Sequence, residues 1–211
     1  MIPDVWKKNI AVLAARYPAL AERLEKTALP ALPGVVTGAT RSDACSGGAV
    51  GPDIRVDSAA SGSPTLIING IHIHSNRDPV KEGSRQTEAA EKAGNAEKAG
   101  DTGHKVFVIL GFGLGYGAEA AAKASNLPVV VAERRPELFR LALESRDLGE
   151  FLSSGKHILV VGGEPGGITG ALGILEQAGI KEAPLLVKNR ALCSISAEDR
   201  EWYDDAERRI H

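Results

Sequence analysis

Between Val106 and Glu133 the sequence runs apolar strand, glycine loop, helix, apolar strand, acid, and few folds accept that order. Val106-Phe-Val-Ile-Leu110 has no polar residue on either alternate, as expected of a strand covered on both faces. Gly111-Phe-Gly-Leu-Gly-Tyr-Gly117 follows it directly, and the alanine-rich stretch Ala118–Ser125 reads as a helix. Pro128-Val-Val-Val-Ala132 is a second buried strand, ending at Glu133. Glycines let a chain turn tightly from strand into helix, and the helix N-terminus then offers amide groups to an anion. This order predicts an α/β fold: a Rossmann-like parallel sheet with flanking helices.

The remaining chain extends that alternation. Pro136–Ser145 is helical, with Pro136 suited to a first turn. His157-Ile-Leu-Val-Val161 reads as a third strand, Ile168–Ala178 as a helix, and Pro184-Leu-Leu-Val-Lys188 as a fourth strand. Ser196-Ala-Glu-Asp199 is a capping pattern that opens a last helix. Upstream, residues 4–26 carry a helical rhythm broken at Pro18, which predicts two short helices. Residues 34–64 are rich in Gly, Ser, Ala and Asp, and part of them reads as loop. Thr65-Leu-Ile-Ile-Asn-Gly-Ile-His-Ile-His74 predicts a β-hairpin turning at Asn69-Gly70. Asp78-Pro79 opens a polar helix over 79–98 whose second half is weakened by glycine. The expected organisation is residues 1–103 as N-terminal helices, hairpin and low-complexity polar helix, and 104–211 as the Rossmann-like domain with its C-terminal helix.

Charge and cysteine usage exclude several classes. The 211 residues carry a formal net charge of −2 and only 4% aromatic side chains, so neither a phosphate-binding face nor a base-stacking surface is indicated, and no nucleic-acid partner is expected. The apolar runs are strand-sized, so no membrane span is expected. Cys45 and Cys193 form no CxxC motif, and the N-terminal residues are not those of a signal peptide, which predicts a cytoplasmic protein with reduced thiols.

The cofactor-binding residues expected from this pattern are Gly111, Gly113, Gly115, Gly117 and Glu133. A carboxylate closing the second strand can accept from both hydroxyls of a ribose. The every-second-residue glycine spacing resembles the loop of S-adenosylmethionine-dependent methyltransferases, although the acid those enzymes carry two positions before the first glycine is here Ile109. The ligands such a loop would take are a nucleotide, a nucleotide sugar or S-adenosylmethionine. The bland alternative is that the glycines only permit close helix–strand packing, with Glu133 solvated at a strand end.

Five segments occur in an order that resembles one family: Asn9-Ile-Ala-Val-Leu-Ala-Ala-Arg-Tyr-Pro-Ala-Leu-Ala-Glu-Arg-Leu24, Ile73-His-Ser-Asn-Arg-Asp-Pro-Val-Lys-Glu82, Ile109-Leu-Gly-Phe-Gly-Leu-Gly-Tyr116, Val131-Ala-Glu-Arg-Arg-Pro-Glu-Leu-Phe139 and Leu143-Glu-Ser-Arg-Asp-Leu148. Together they resemble the N-terminal part of the motility accessory factor family of bacterial flagellin glycosyltransferases, itself related to archaeal 6-hydroxymethylpterin diphosphokinase-like proteins. The resemblance implies a non-catalytic N-terminal domain. The transfer of a nucleotide-activated nonulosonic acid belongs, in that family, to a central domain that follows. It implies flagellin, or a separate glycosyltransferase domain, as partner. Arg134-Arg135 departs from the family pattern, as does the long polar stretch 84–103. The alternative is a stand-alone S-adenosylmethionine-type binding protein or methyltransferase.

Other candidates are weaker. His72 and His74 share one face of a strand and, with Asp78, could hold a metal. The better reading of Ser75 and Asp78 is structural, bonding amides in a turn or helix cap. Arg134 and Arg135 could bind phosphate or form a solvated loop, and Gly162-Gly163-Glu164 could line the same crevice. Trp202 and Tyr203 read as packing anchors. No catalytic residue and no metal site are assigned.

Overall fold

The computed structural model describes residues 3–29, 53–97, 106–181 and 183–210. Cys45 and the expected boundary at 103–104 lie outside them. Helices α1 (Pro3–Arg16) and α2 (Pro18–Lys26) form the expected pair, divided where Pro18 has no N–H to donate. Strands β1 (Ile54–Ser58), β2 (Pro64–Ile68) and β3 (Ile71–His72) make a small antiparallel sheet. Asn69 and Gly70 both have positive φ, as the two-residue turn between β2 and β3 requires. Strand β1 falls in the stretch 34–64, for which no strand was expected. Its inward residues are only Ile54 and Val56, opposite Ile68 and Leu66, so its signal is two apolar residues long.

Helix α3 (Pro79–Glu97) follows, then the alternating elements β4 (Phe107–Leu110), α4 (Tyr116–Ala124), β5 (Val129–Glu133), α5 (Pro136–Ser145), the short α6 (Gly149–Ser153), β6 (Ile158–Val161), α7 (Gly166–Gln177), β7 (Leu185–Lys188), the short α8 (Arg190–Cys193) and α9 (Ala197–Arg208). The second sheet is parallel, in the order β6-β5-β4-β7. The chain therefore builds outward from β4 through β5 to β6, then returns to the other side of β4 for β7. The order reverses between β4 and β7, which is where open α/β sheets place their ligand crevice.

Strand periodicity explains the two cores. Phe107 and Ile109 face one layer with Val129, Val131, α1, α2, α4, α5 and the small sheet. Val108 and Leu110 face the other with Val130, Ala132, α7 and α9. Both faces of β4 and β5 are thus covered, the physical reason their sequences lack polar alternation. The α/β architecture is the one expected, a parallel sheet with flanking helices behind an N-terminal helical and antiparallel region. No helix among the described residues is long and apolar enough to cross a membrane.

Candidate functional site

The glycine loop leaves β4 at the reversal point, and Glu133 ends the neighbouring strand. The two do converge, but onto each other. One oxygen of Glu133, Oε2, accepts from the Phe112 amide at 2.9 Å and the Gly113 amide at 3.4 Å. The other, Oε1, accepts from the Arg135 amide and from the Tyr203 hydroxyl, each at 3.0 Å. The residue has 0% exposure. Burial pushes its carboxyl up to about 7, while the donors from Arg135, Tyr203, Gly113 and Phe112 pull the other way. Neither expectation for this side chain anticipated that outcome: Glu133 is not solvated, and its oxygens already hold four donors.

The next amide is also engaged. Leu114 donates at 2.8 Å to Nε2 of His74, which reaches in from the turn after β3 and is buried. An acceptor at Nε2 leaves the proton on Nδ1. Burial, and then the nearby Arg146 guanidinium, lower the His74 pKa to about 3, so the ring is a neutral acceptor. Its edge meets the Tyr116 ring, whose hydroxyl donates to the Pro64 carbonyl at 2.6 Å. Arg146 lies over that ring at 3.7 Å and donates to the Leu114 carbonyl at 2.7 Å.

Gly111, Gly113 and Gly115 all have positive φ, whereas Gly117 already lies within α4. At Gly113 a Cβ would overlap the His74 ring. Above the start of α4 sits α3, so close that a Cβ on Gly83 would lie 2.7 Å from the Tyr116 carbonyl. Asn189, just past β7, closes the crevice from the far side. Its Oδ1 accepts from Leu192 N and its Nδ2 donates to Ile73 O. His74 and Asn189 therefore lie against the glycine loop, and Tyr203 against the carboxylate.

Arg134 and Arg135 form neither a phosphate clamp nor a solvated loop. Both pair with Asp199 on α9, which is 1% exposed. Burial opposes ionisation of Asp199, and Arg135, Arg134 and Ser196 outweigh it, holding the carboxyl below its usual range. Ser196 caps α9 by accepting from the Asp199 amide at 3.1 Å. Trp202 donates to the Gly163 carbonyl at 2.9 Å, so Gly162-Gly163 meets α9 rather than an open crevice. Trp202 and Tyr203 are packing anchors within the chain.

The histidine pair is split: His72 is exposed while His74 is buried against the loop. Among the described residues no cluster of His, Cys, Asp or Glu could hold a metal ion. Ser75 accepts from the Arg77 and Asp78 amides, and Asp78 from the Lys81 amide at the start of α3, as a turn and cap require. Cys193 is buried, and burial pushes its thiol far up, so it is no nucleophile. What sequence reasoning missed is the reach of His74, Asn189 and Tyr203 into the loop. Those contacts join residues 40 to 70 or more positions apart, and no local pattern signals them.

No protein-family model matches the chain, and no curated protein matches it. Among solved structures, a MAf glycosyltransferase from Magnetospirillum magneticum AMB-1 aligns over 99% of this chain with a TM-score of 0.57 and 13% identity. The two share a fold. This chain spans 36% of the length of that one. MNMC2 from Aquifex aeolicus aligns over 73% of this chain and 51% of its own, at 21% identity and a TM-score of 0.33, too low to carry an argument.

Proposed function

We propose that this chain is the non-catalytic domain of a motility accessory factor-type glycosyltransferase system, acting in flagellin glycosylation by holding protein partners while sugar transfer occurs elsewhere. The observation that carries this reading is the alignment of 99% of the chain with about a third of a MAf glycosyltransferase. The ordered motifs from Asn9 to Leu148 support the same kinship, and they fall on residues that build the loop's surroundings: Asn9, His74, the glycine turn, Glu133 and Arg146. The loop itself works as a structural junction. Its amides at Phe112, Gly113 and Leu114 already have acceptors. A nucleoside ligand would need those amides and Glu133 free, so it forms no part of the proposal.

The test is genetic and biochemical together. In the source organism, deletion of the coding sequence is expected to reduce flagellin glycosylation and motility, and the tagged chain is expected to copurify with flagellin or with a glycosyltransferase domain. The purified chain alone is expected to transfer no sugar from a nucleotide-activated nonulosonic acid. Unchanged flagellin mass and motility after deletion would remove the reading, and transfer by the chain alone would remove its non-catalytic part.

A further inference from the structure

The two edges of the parallel sheet are finished differently. On β6, Gly162 donates to the Glu133 carbonyl, so the even-numbered residues turn toward β5 and the odd-numbered ones turn outward. Two of those outward carbonyls are covered by side chains from the helical pair: Tyr17 donates to His157 O at 2.6 Å, and Arg23 donates to Val161 O. That edge is blunted.

On β7 the pattern is reversed. Leu185 and Asn189 donate to Val106 and Leu110 of β4, so the odd-numbered residues face inward. The N–H and C=O groups of Leu186 and Lys188 face outward, and no side chain among the described residues caps them. A groove of about 810 Å³ runs along this edge. Leu186, Val187 and Lys188 form its floor. One wall is α3, where Ala89, Ala90 and Ala93 leave space beyond Glu82 and Gln86 at the helix's start. The other carries Arg190, Ser194 and Glu207. Helices α3 and α9 lie on opposite faces of the sheet, because they join the two different cores. The groove therefore occupies the position in line with the sheet, where the next strand would lie.

We propose that the β7 edge takes up an extended, amphipathic peptide strand from a partner protein. Main-chain groups that alternate outward at strand spacing fit another strand. Successive side chains of such a strand would point alternately to the alanines of α3 and to the polar wall. Lys188 is already paired with Asp204 and Glu207. Arg190 is exposed and has no acidic partner among the described residues, so an acidic side chain is favoured on the polar side. This inference rests on the edge geometry and stands apart from the kinship argued above.

The test uses the full chain and a synthetic peptide of alternating valine and threonine with one central glutamate, followed by fluorescence anisotropy and amide hydrogen exchange. Saturable binding is expected, with exchange at Leu186 and Lys188 slowed by the peptide. The same peptide methylated on its backbone nitrogens is expected not to bind. Ala89→Trp fills the groove from an exposed helix position, so it is expected to keep the fold and weaken binding at least about tenfold. Absence of saturable binding, or binding that the Trp variant and N-methylation leave unchanged, would overturn the proposal. So would slow exchange at Leu186 and Lys188 in the free chain, which would mean that the edge is already covered. Protection that grows with chain concentration would assign the groove to a second copy instead, and would equally defeat it.

Discussion

A carboxylate holding four donors behaves differently from one waiting for a ligand. Glu133→Gln keeps one acceptor oxygen but turns an amide NH₂ toward at least one backbone N–H, which cannot accept. A buried donor left unmatched costs about 1–3 kcal/mol, so a loss of at least about 1 kcal/mol in a urea titration is expected. A loss within about 0.5 kcal/mol, the usual range for surface changes, would show that the carboxylate is not structural. The pH dependence has two opposed parts. The raised Glu133 pKa gives stability that is present below its ordinary 4.5 and lost as pH rises through about 7. His74, at about 3, and His157, at about 4, are lowered from 6.5, so their contributions are present above 6.5 and lost as pH falls. Burial is the main cause for both rings, and the charges of Lys156 and Arg16 add to it at His157. Two imidazoles outweigh one carboxyl, so stability is expected to rise between pH 4.5 and 6.5. His74→Gln keeps an acceptor for the Leu114 amide without a titrating group. It is expected to remove about 2 kcal/mol of that rise, and an unchanged slope would put His74 outside the acid response.

At the level of elements, the glycine loop divides into positions that need glycine and one that does not. Gly113→Ala places a side chain at positive φ and against His74, and a loss of more than about 2 kcal/mol is expected. Gly83→Ala has an ordinary helical backbone, yet its Cβ would strike the Tyr116 carbonyl, so α3 must move off α4 and a comparable loss is expected. Gly117→Ala meets only ordinary contacts, 3.6 Å to Val187 and 3.7 Å to Gln86, within the first turn of a helix. A gain of about 0.4–1 kcal/mol is expected there. Thermal unfolding of the three variants ranks them, and equal losses at all three would mean that the loop tolerates no change for some other reason. This contrast also marks where sequence reasoning reaches its limit. The buried strands β4 and β5 were legible because covering both faces removes polar alternation, and the break at Pro18 and the turn at Asn69-Gly70 were legible because each follows from one residue's backbone chemistry. Strand β1 and the short helices α6 and α8 carry too few periodic residues to register. The engagement of Glu133 by Tyr203, and of Arg134 and Arg135 by Asp199, depends on where α9 returns, which no spacing along the chain encodes.

Across the whole molecule, the site's closure and the chain's organisation are one question. Because Tyr203 and His74 bring distant segments onto the loop, S-adenosylmethionine or a nucleotide sugar is expected to leave the melting temperature unchanged. A ligand at 100 times its dissociation constant would add about 2.7 kcal/mol, which a thermal scan detects. The same long-range contacts bear on residues 104–211 as a unit. One apolar cluster joins Leu13 and Leu24 of the helical pair, Ile54, Leu66 and Ile68 of the small sheet, and Phe107, Ile109, Val131 and Phe139 of the parallel-sheet region. Asn9 is fully buried and ties α1 to the end of α5, donating to the Leu143 and Arg146 carbonyls and accepting from the Leu148 amide. Cutting before residue 104 would uncover the faces of α4, α5 and α6 that α1, α2 and α3 pack against, uncap the β6 edge and take away the acceptor for Leu114. Each buried aliphatic side chain returned to water costs about 1.5–3 kcal/mol, and several such faces together exceed the 5–15 kcal/mol that holds a typical domain. The 104–211 fragment is therefore expected to show no cooperative thermal transition and to bind a hydrophobic dye, whereas the full chain melts in one step. A cooperative transition in the fragment would mean that the parallel sheet is an autonomous domain, with the helical pair and the small sheet docked onto a core that does not need them.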